Sequence, residues 1–370
     1  MLVPTPVTFC AMRTIVAHMV VVAAMSVLAS PAPAVSIDMV TVGNPGNAND
    51  PATGSVYGRV DYSYQIGRYD VTIAQYTDFL NAVAKTDTYS LYNASMATNL
   101  NVAGILQTGS SGAYVYGVIA AAGTAPYGGV SAGGRPITYV SWFDAARFAN
   151  WMANGQGSGS TENGAYDLAT APAGTAPAKN LINPNTGAAP TFYIPNENEF
   201  YKAAYYSPNY GGVGVPGYYA YATQSDDEPG NLIGSAENQA NWLRVGSAFS
   251  VTQTDNYVSN QNYLTNVGAY SGSESFYGTF DQSGNVFQWN DLDGTAGSSR
   301  GLRGGNWSFF GSGFILSSAF SSSDGPSSES DIIGFRLSSP VAVPEPSTYA
   351  MALAGLACGC YSMLRRRRVR

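Results

Sequence analysis

The sequence predicts a single α+β domain built from short strands, about three helices and long loops. Three observations lead there. Helical periodicity is confined to three stretches in the first 210 or so residues, strand-like stretches gather late, and segments rich in Gly, Ala, Ser and Asn separate them. The chain can also fill a core, since 45% of its 370 residues are hydrophobic. Only 11% are charged, against about 25% in an average soluble protein, while Gly (42), Tyr (26) and Pro (20) are plentiful. That composition fits a loop-rich surface of the secreted type.

Taken in order, residues 61–70 come first, where Tyr62, Tyr64 and Ile66 alternate with polar neighbours as in a half-buried strand. A helix follows over 72–84, because Ile73, Tyr76, Phe79, Leu80 and Val83 recur at three- and four-residue spacing behind Thr72 as N-cap. A second helix starts at Ser141, with Asp144 completing a capping box, and runs through Phe148 and Met152 to a stop at Gly155. The third opens on Pro195-Asn196-Glu197-Asn198-Glu199, where Asn196 and Glu199 are spaced as cap and reciprocal partner, and turns Phe200, Ala203 and Ala204 inward. Glu197 and Glu199 lie about 200° apart around such a helix, so they do not converge as an acid/base pair and serve its capping and dipole instead. Residues 104–134 and 155–190 read as surface loops, and no repeat of solenoid period is present. Late strands are expected within 263–270, 276–289, 302–309 and 332–337.

Both ends carry address labels. Arg13, an apolar run from Ile15 to Leu28 and the Ala32-Pro33-Ala34 sequence form a signal peptide over 1–34, cut by signal peptidase after Ala34; an N-terminal membrane anchor is the alternative. The last 27 residues read Pro344-Glu345-Pro346, then an apolar stretch from Thr348 to Leu364, then an arginine cluster. A spanning helix so flanked places the arginines in the cytoplasm and residues 35–343 on the far side of the membrane. Pro-Glu-Pro, one membrane helix and terminal arginines resemble the PEP-CTERM sorting signal of Gram-negative bacteria. The resemblance implies recognition by an exosortase near Pro344, Glu345 and Pro346, and delivery to the cell surface or exopolysaccharide. A plain tail anchor is the alternative reading.

Charge and reactive side chains exclude much of the usual chemistry. The region between the two signals, counted through Pro346, holds 24 acidic and 11 basic residues, so about −13 net, which argues against DNA or RNA as partner. The chain's one His, His18, and its three Cys, Cys10, Cys358 and Cys360, all fall in the terminal segments. The body therefore has no His triad, no thiol nucleophile, no disulfide, and no zinc or iron site built on His or Cys. Its reactive groups are carboxylates, hydroxyls, phenols, amines and guanidinium groups.

Several local patterns stand in one order: Tyr69-Asp70-Val71-Thr72; Pro136-Ile137-Thr138-Tyr139-Val140-Ser141-Trp142; Ile194 to Phe200; Ala240-Asn241; Gly284-Asn285-Val286-Phe287-Gln288-Trp289; Arg303-Gly304-Gly305-Asn306-Trp307; and Gly334-Phe335-Arg336-Leu337. Together they resemble the formylglycine-generating enzyme family, or sulfatase-modifying-factor domains. The resemblance implies one domain of the C-type-lectin-like kind, poor in regular structure and often holding structural calcium. Read without it, Gly284, Gly304 and Gly305 suit positive-φ turns, Trp289 and Trp307 anchor loops, and Arg303 and Arg336 pair with acids below the surface.

The departures from the family pattern bear on function. The resemblance implies copper held by two cysteines shortly after the Gly-Gly-Asn-Trp element, and at those places this chain has Phe309 and Phe314. A second branch uses iron held by histidines, which the body lacks, and Ser317 and Ser321 stand where arginines are common in the family. Calcium is the one metal whose ligand chemistry remains; by resemblance its residues are Asn241, Asp281, Asn285 and Gln288, with Gln288 replacing the family's usual Glu. The acidic loop Asp226-Asp227-Glu228 is a second place for it. The expectation is an exported, surface-destined, non-catalytic binding or structural module, with exopolysaccharide or a surface protein as partner. The alternatives are a formylglycine-generating oxidase with unconventional ligands, and a carboxylate hydrolase using Glu197 or Asp227.

Overall fold

A computed structural model describes residues 34–340, apart from Val245, Ser247, Phe309 and Ser312. The signal peptide, the Pro344-Glu345-Pro346 motif, the C-terminal apolar stretch and Phe309 therefore lie outside the described residues; Ala34 is the first inside.

The first half contains strands β1 (Met39–Val42) and β2 (Tyr64–Gly67), helices α1 (Ile73–Val83) and α2 (Ser95–Thr98), hairpin strands β3 (Ile105–Thr108) and β4 (Val115–Val118), and helix α3 (Trp142–Ala153). Helix α4 (Glu197–Tyr205) leads into β5 (Tyr206–Ser207), β6 (Gly217–Tyr218), β7 (Leu243–Arg244) and β8 (Ala248–Phe249). The remainder supplies β9 (Phe287–Asn290), β10 (Arg300–Arg303), β11 (Phe310–Gly311), β12 (Ser322–Asp324), β13 (Ile333–Gly334) and β14 (Ser338–Pro340).

The three expected helices start where their caps place them. Thr72 with Gln75, Ser141 with Asp144, and Asn196 with Glu199 each close a reciprocal capping box, which satisfies otherwise orphaned N–H groups at the helix start. The apolar stripes of α1 and α3 meet in the main core, where Phe148 packs edge to face with both Phe79 and Phe335 and Trp151 lies tilted against Phe79. A second cluster gathers Trp307, Tyr263, Phe249 and Leu264, with the Tyr263 and Trp307 rings stacked 5.1 Å apart.

Strand order departs from the late gathering expected of the sequence. Strand β2 is central in a three-stranded antiparallel sheet, with β1 on one side and β14, from the far end of the domain, on the other. A four-stranded sheet has the order β12-β10-β9-β13, with β13 parallel to β9, and β11-β7-β8 form a third. The stretch 104–134, expected as loop, contains the β3–β4 hairpin and a 3-10 turn at Ala132–Gly134. Conversely, 263–270 is not a strand. Its backbone groups go instead to distant partners: Tyr263 N donates to Asn101 O, and Asn241 and Asn285 side chains reach the carbonyls of Tyr263 and Thr265. Within 276–289 only the last residues are strand, because Gly278, Asp281, Gly284 and Asn285 all take positive φ and turn the chain. At Gly284 (φ +93°) a Cβ would sit 2.5 Å from Asn241 O, so glycine is required twice over.

Candidate functional site

The charged framework fixes which groups are left free. Arg303 is sunk between the Tyr57 and Tyr201 rings, each centroid 4.9 Å from its guanidinium carbon, and pairs with Glu197. Arg336 is fully buried; it donates to Asp70 Oδ1 (3.1 Å), Gly67 O (2.9 Å), Phe280 O (2.7 Å) and Gln288 Oε1. Arg300 stacks on Trp142 and lies 3.5 Å from Asp291, which also accepts from Trp142 Nε1 and Tyr166 Oη. The pairing expected of Arg303 and Arg336 is present, and each arginine ties segments far apart in sequence. Glu197 is thus an ion-pair partner as well as a first-turn acid, and its carboxylate is committed to Arg303. Burial pushes the Asp291 and Asp281 carboxyls up to about 6 and that of Asp144 up to about 7, against the neighbouring arginines and hydrogen bonds that pull them down.

The four residues named for calcium work together on one segment. Asn241 Nδ2 donates to Tyr263 O and to Asn285 Oδ1, both at 2.9 Å. Asn285 Oδ1 also accepts from Thr265 N, and Asn285 Nδ2 donates back to Thr265 O, both at 3.3 Å. Asp281 Oδ2 accepts from Gly268 N at 2.7 Å, and Gln288 Nε2 donates to Asp281 O at 2.8 Å. These side chains hold residues 263–268 in place. Only one of the four is a carboxylate, Gln288 Oε1 already faces the Arg336 guanidinium, and Asn285 Oδ1 already accepts two N–H groups. As bonded, the set does not fit a calcium ion, which takes six to eight oxygens. Among the described residues no group of three or more His, Cys, Asp or Glu stands close enough to hold a metal. In the acidic loop, Asp226 accepts from Tyr210 Oη and Ala220 N, and Glu228 from Gly313 N.

The segment so pinned forms one wall of a cleft of about 600 Å³. The opposite wall is supplied by Tyr127, Val130, Ser131 and Arg135, and Val267 N donating to Gly134 O (2.8 Å) joins the two segments. Tyr127, Val130 and Ile233 give the cleft apolar surface, and Ser131, Thr265 and Asn266 give it neutral polar groups; among the described residues no carboxylate lines it. Arg135 is the exception to the paired framework. It is only 2% exposed; its Nη2 donates to Tyr127 O, while Nε and Nη1 have no partner among the described residues. Thr265 Oγ1, also buried, has none either. Burial alone lowers the Arg135 pKa, to about 10.

Arg135 and Thr265 escape a reading of the sequence. The available signal is scarcity: Arg135 is one of 11 basic residues between the terminal signals, and it directly precedes the Pro136-Ile137 element. Phe314, which the resemblance sets against a copper-binding cysteine, is half exposed, with its ring edge-on to Phe320 and outside the cleft lining. Of the hydrolase candidates, Asp227 sits on an exposed loop, apart from the committed Glu197. A second opening, about 480 Å³, carries the exposed Glu237 and Glu274.

The architecture is thus a mixed α+β domain of short strands whose loops are fixed by buried arginine pairs and Asn side chains. Solved structures similar to it include one described as the crystal structure of CarF (22% identity, covering 83% of this chain and 99% of that one, TM-score 0.45). Others are Treponema denticola variable protein 1 (17%, 82% and 94%, 0.42) and PvdO from Pseudomonas aeruginosa (17%, 82% and 94%, 0.41). No curated protein matches the chain. The sulfatase-modifying factor enzyme 1-like domain matches residues 34–340, and the chain belongs to that family. A PEP-CTERM protein-sorting motif matches residues 342–368, which marks the protein for export, exosortase processing and surface sorting. Among the described residues no helix is long and apolar enough to cross a membrane.

Proposed function

We propose that the protein is a non-catalytic binding module, displayed at the surface of a Gram-negative bacterium or in its exopolysaccharide. Its C-terminal helix would hold it in the membrane until exosortase acts. The observation that carries the reading is compositional: residues 35–343 contain neither Cys nor His. The thiolate pair for copper and the imidazoles for iron, which the resemblance implies for the two redox branches, have no residue to supply them. The cleft supports the same reading, since its lining is apolar and neutral polar around one unpaired cation. A structural calcium would need oxygens other than those of the four residues named for it.

Family membership favours one rival, a formylglycine-generating oxidase. The test is to supply the purified chain with copper and a Cys-containing sulfatase peptide and to follow the Cys by mass spectrometry. The Cys is expected to remain unconverted beside an active control enzyme. Formylglycine formation would overturn the binding-module reading.

A further inference from the structure

We propose that the cleft at Arg135 binds a uronate-type sugar, with the carboxylate on the Arg135 guanidinium and ring hydroxyls on Thr265 and Asn266. The inference deepens the binding-module reading and rests on it.

Four features point to this ligand. Arg135 is 2% exposed, and its unpartnered Nε and Nη1 carry three N–H donors. Every other large buried arginine here, Arg300, Arg303 and Arg336, has an acidic partner within 3.5 Å. Among the described residues Arg135 has none, and no Asp or Glu lines the cleft, so the missing counter-charge is left to a ligand. A planar guanidinium fork matches a carboxylate, which accepts its N–H groups in pairs.

The other lining groups specify what the carboxylate is attached to. Thr265 Oγ1 is a buried hydroxyl with no partner, and Asn266 and Ser131 add an amide and a hydroxyl, so the remaining polar capacity is neutral and suits hydroxyls rather than further charge. Tyr127, Val130 and Ile233 offer apolar surface for the C–H face of a ring. A volume of about 600 Å³ leaves a lone sulfate or acetate mostly surrounded by water, whereas it has room for a sugar of one or two rings. The body's net charge of about −13 works against a densely charged polymer and leaves recognition to this single cation.

The test is calorimetric titration of the purified full chain with galacturonate and digalacturonate, against galactose, acetate and sulfate. Uronates are expected to bind at least tenfold more tightly than galactose and than either simple anion. Arg135→Gln is expected to abolish the difference between galacturonate and galactose. Thr265→Val removes a hydroxyl that has no protein partner, so it is expected to fold with an unchanged melting temperature and to bind uronate severalfold more weakly. That variant keeps the test valid if Arg135→Gln does not fold. Equal binding of galactose, equal binding of acetate or sulfate, or no uronate binding would each overturn the proposal. Such a result without formylglycine formation leaves the binding module standing and removes only its ligand; formylglycine formation removes the module whatever the titrations give.

Discussion

Replacing Arg135 by Met is expected to stabilise the ligand-free protein. Burial drops the Arg135 pKa from the ordinary arginine range to about 10, which sets the cost of keeping the charge in the folded state at about 3 kcal/mol, at about 1.4 kcal/mol per tenfold. A base whose folded pKa is lowered carries that penalty in full at any pH below the folded value, so it is fully present at pH 7. Against it stands the bond from Nη2 to Tyr127 O. A charged bond contributes about 1.5–3 kcal/mol, and water in the open cleft can replace part of it once the guanidinium is gone. Methionine keeps the length of the side chain and packs against Tyr127 and Leu264. The net expectation is a gain of about 1–2 kcal/mol, which for a domain of this size raises the melting temperature by a few degrees. Urea unfolding followed by tryptophan fluorescence at pH 7 measures it. A loss of 1 kcal/mol or more would refute the reasoning, because it would mean that the guanidinium has partners in the folded chain. The same variant is expected to lose uronate binding, so that stability and recognition trade against each other at one residue.

Three other outcomes follow from the framework. Arg336→Met leaves Asp70 buried without its partner and three further acceptors without a donor, and is expected to cost about 3–5 kcal/mol in a urea melt; a cost below 1 kcal/mol would show that the pair is dispensable. Asp144, near 7, and Asp281 and Asp291, near 6, all lie above the ordinary 3.8, so the folded chain retains protons that the unfolded chain releases. Their contribution is complete below pH 3.8 and is lost as pH rises through 6–7, so the melting temperature is expected to fall between pH 5 and pH 8, and a rise contradicts it. Chelation with EGTA, followed by millimolar calcium, is expected to move the melting temperature by less than about 2 °C, since the Gln288 and Asn285 oxygens are already bonded; a shift of 5 °C or more at saturating calcium would restore the metal.

What could be read from the sequence is what is decided locally. Thr72, Ser141 and Asn196 find their capping partners three residues away, and the apolar stripes behind them repeat within a dozen residues, so helix starts and inner faces were legible. The pairing of Arg303 and Arg336 was legible from their rarity among few charges. Residues 263–270 have the composition of a strand, and only the arrival of Asn101, Asn241 and Asn285, 20 to more than 150 positions away, gives their backbone other partners. The β3–β4 hairpin sits in a stretch whose exposed Leu106, Val115 and Val118 give no clean alternation. Arg135 is hardest of all, because its distinction is a partner that is missing. That absence exists only once the whole chain is folded around it.

The placement of β14 has a mechanical consequence. This strand is the last described element, ends at Pro340, and lies against β2, while Ser338 exchanges a further pair of backbone hydrogen bonds with Tyr193 on its other side. The sorting motif begins at residue 342, so in sequence it is the tail that directly follows β14. A pull on that tail along the strand loads the hydrogen bonds on both of its flanks together, in shear, rather than peeling them one by one. Pro344–Pro346 lies beyond the strand, so a cut there would leave β14 and the hydrogen bonds on both of its flanks whole.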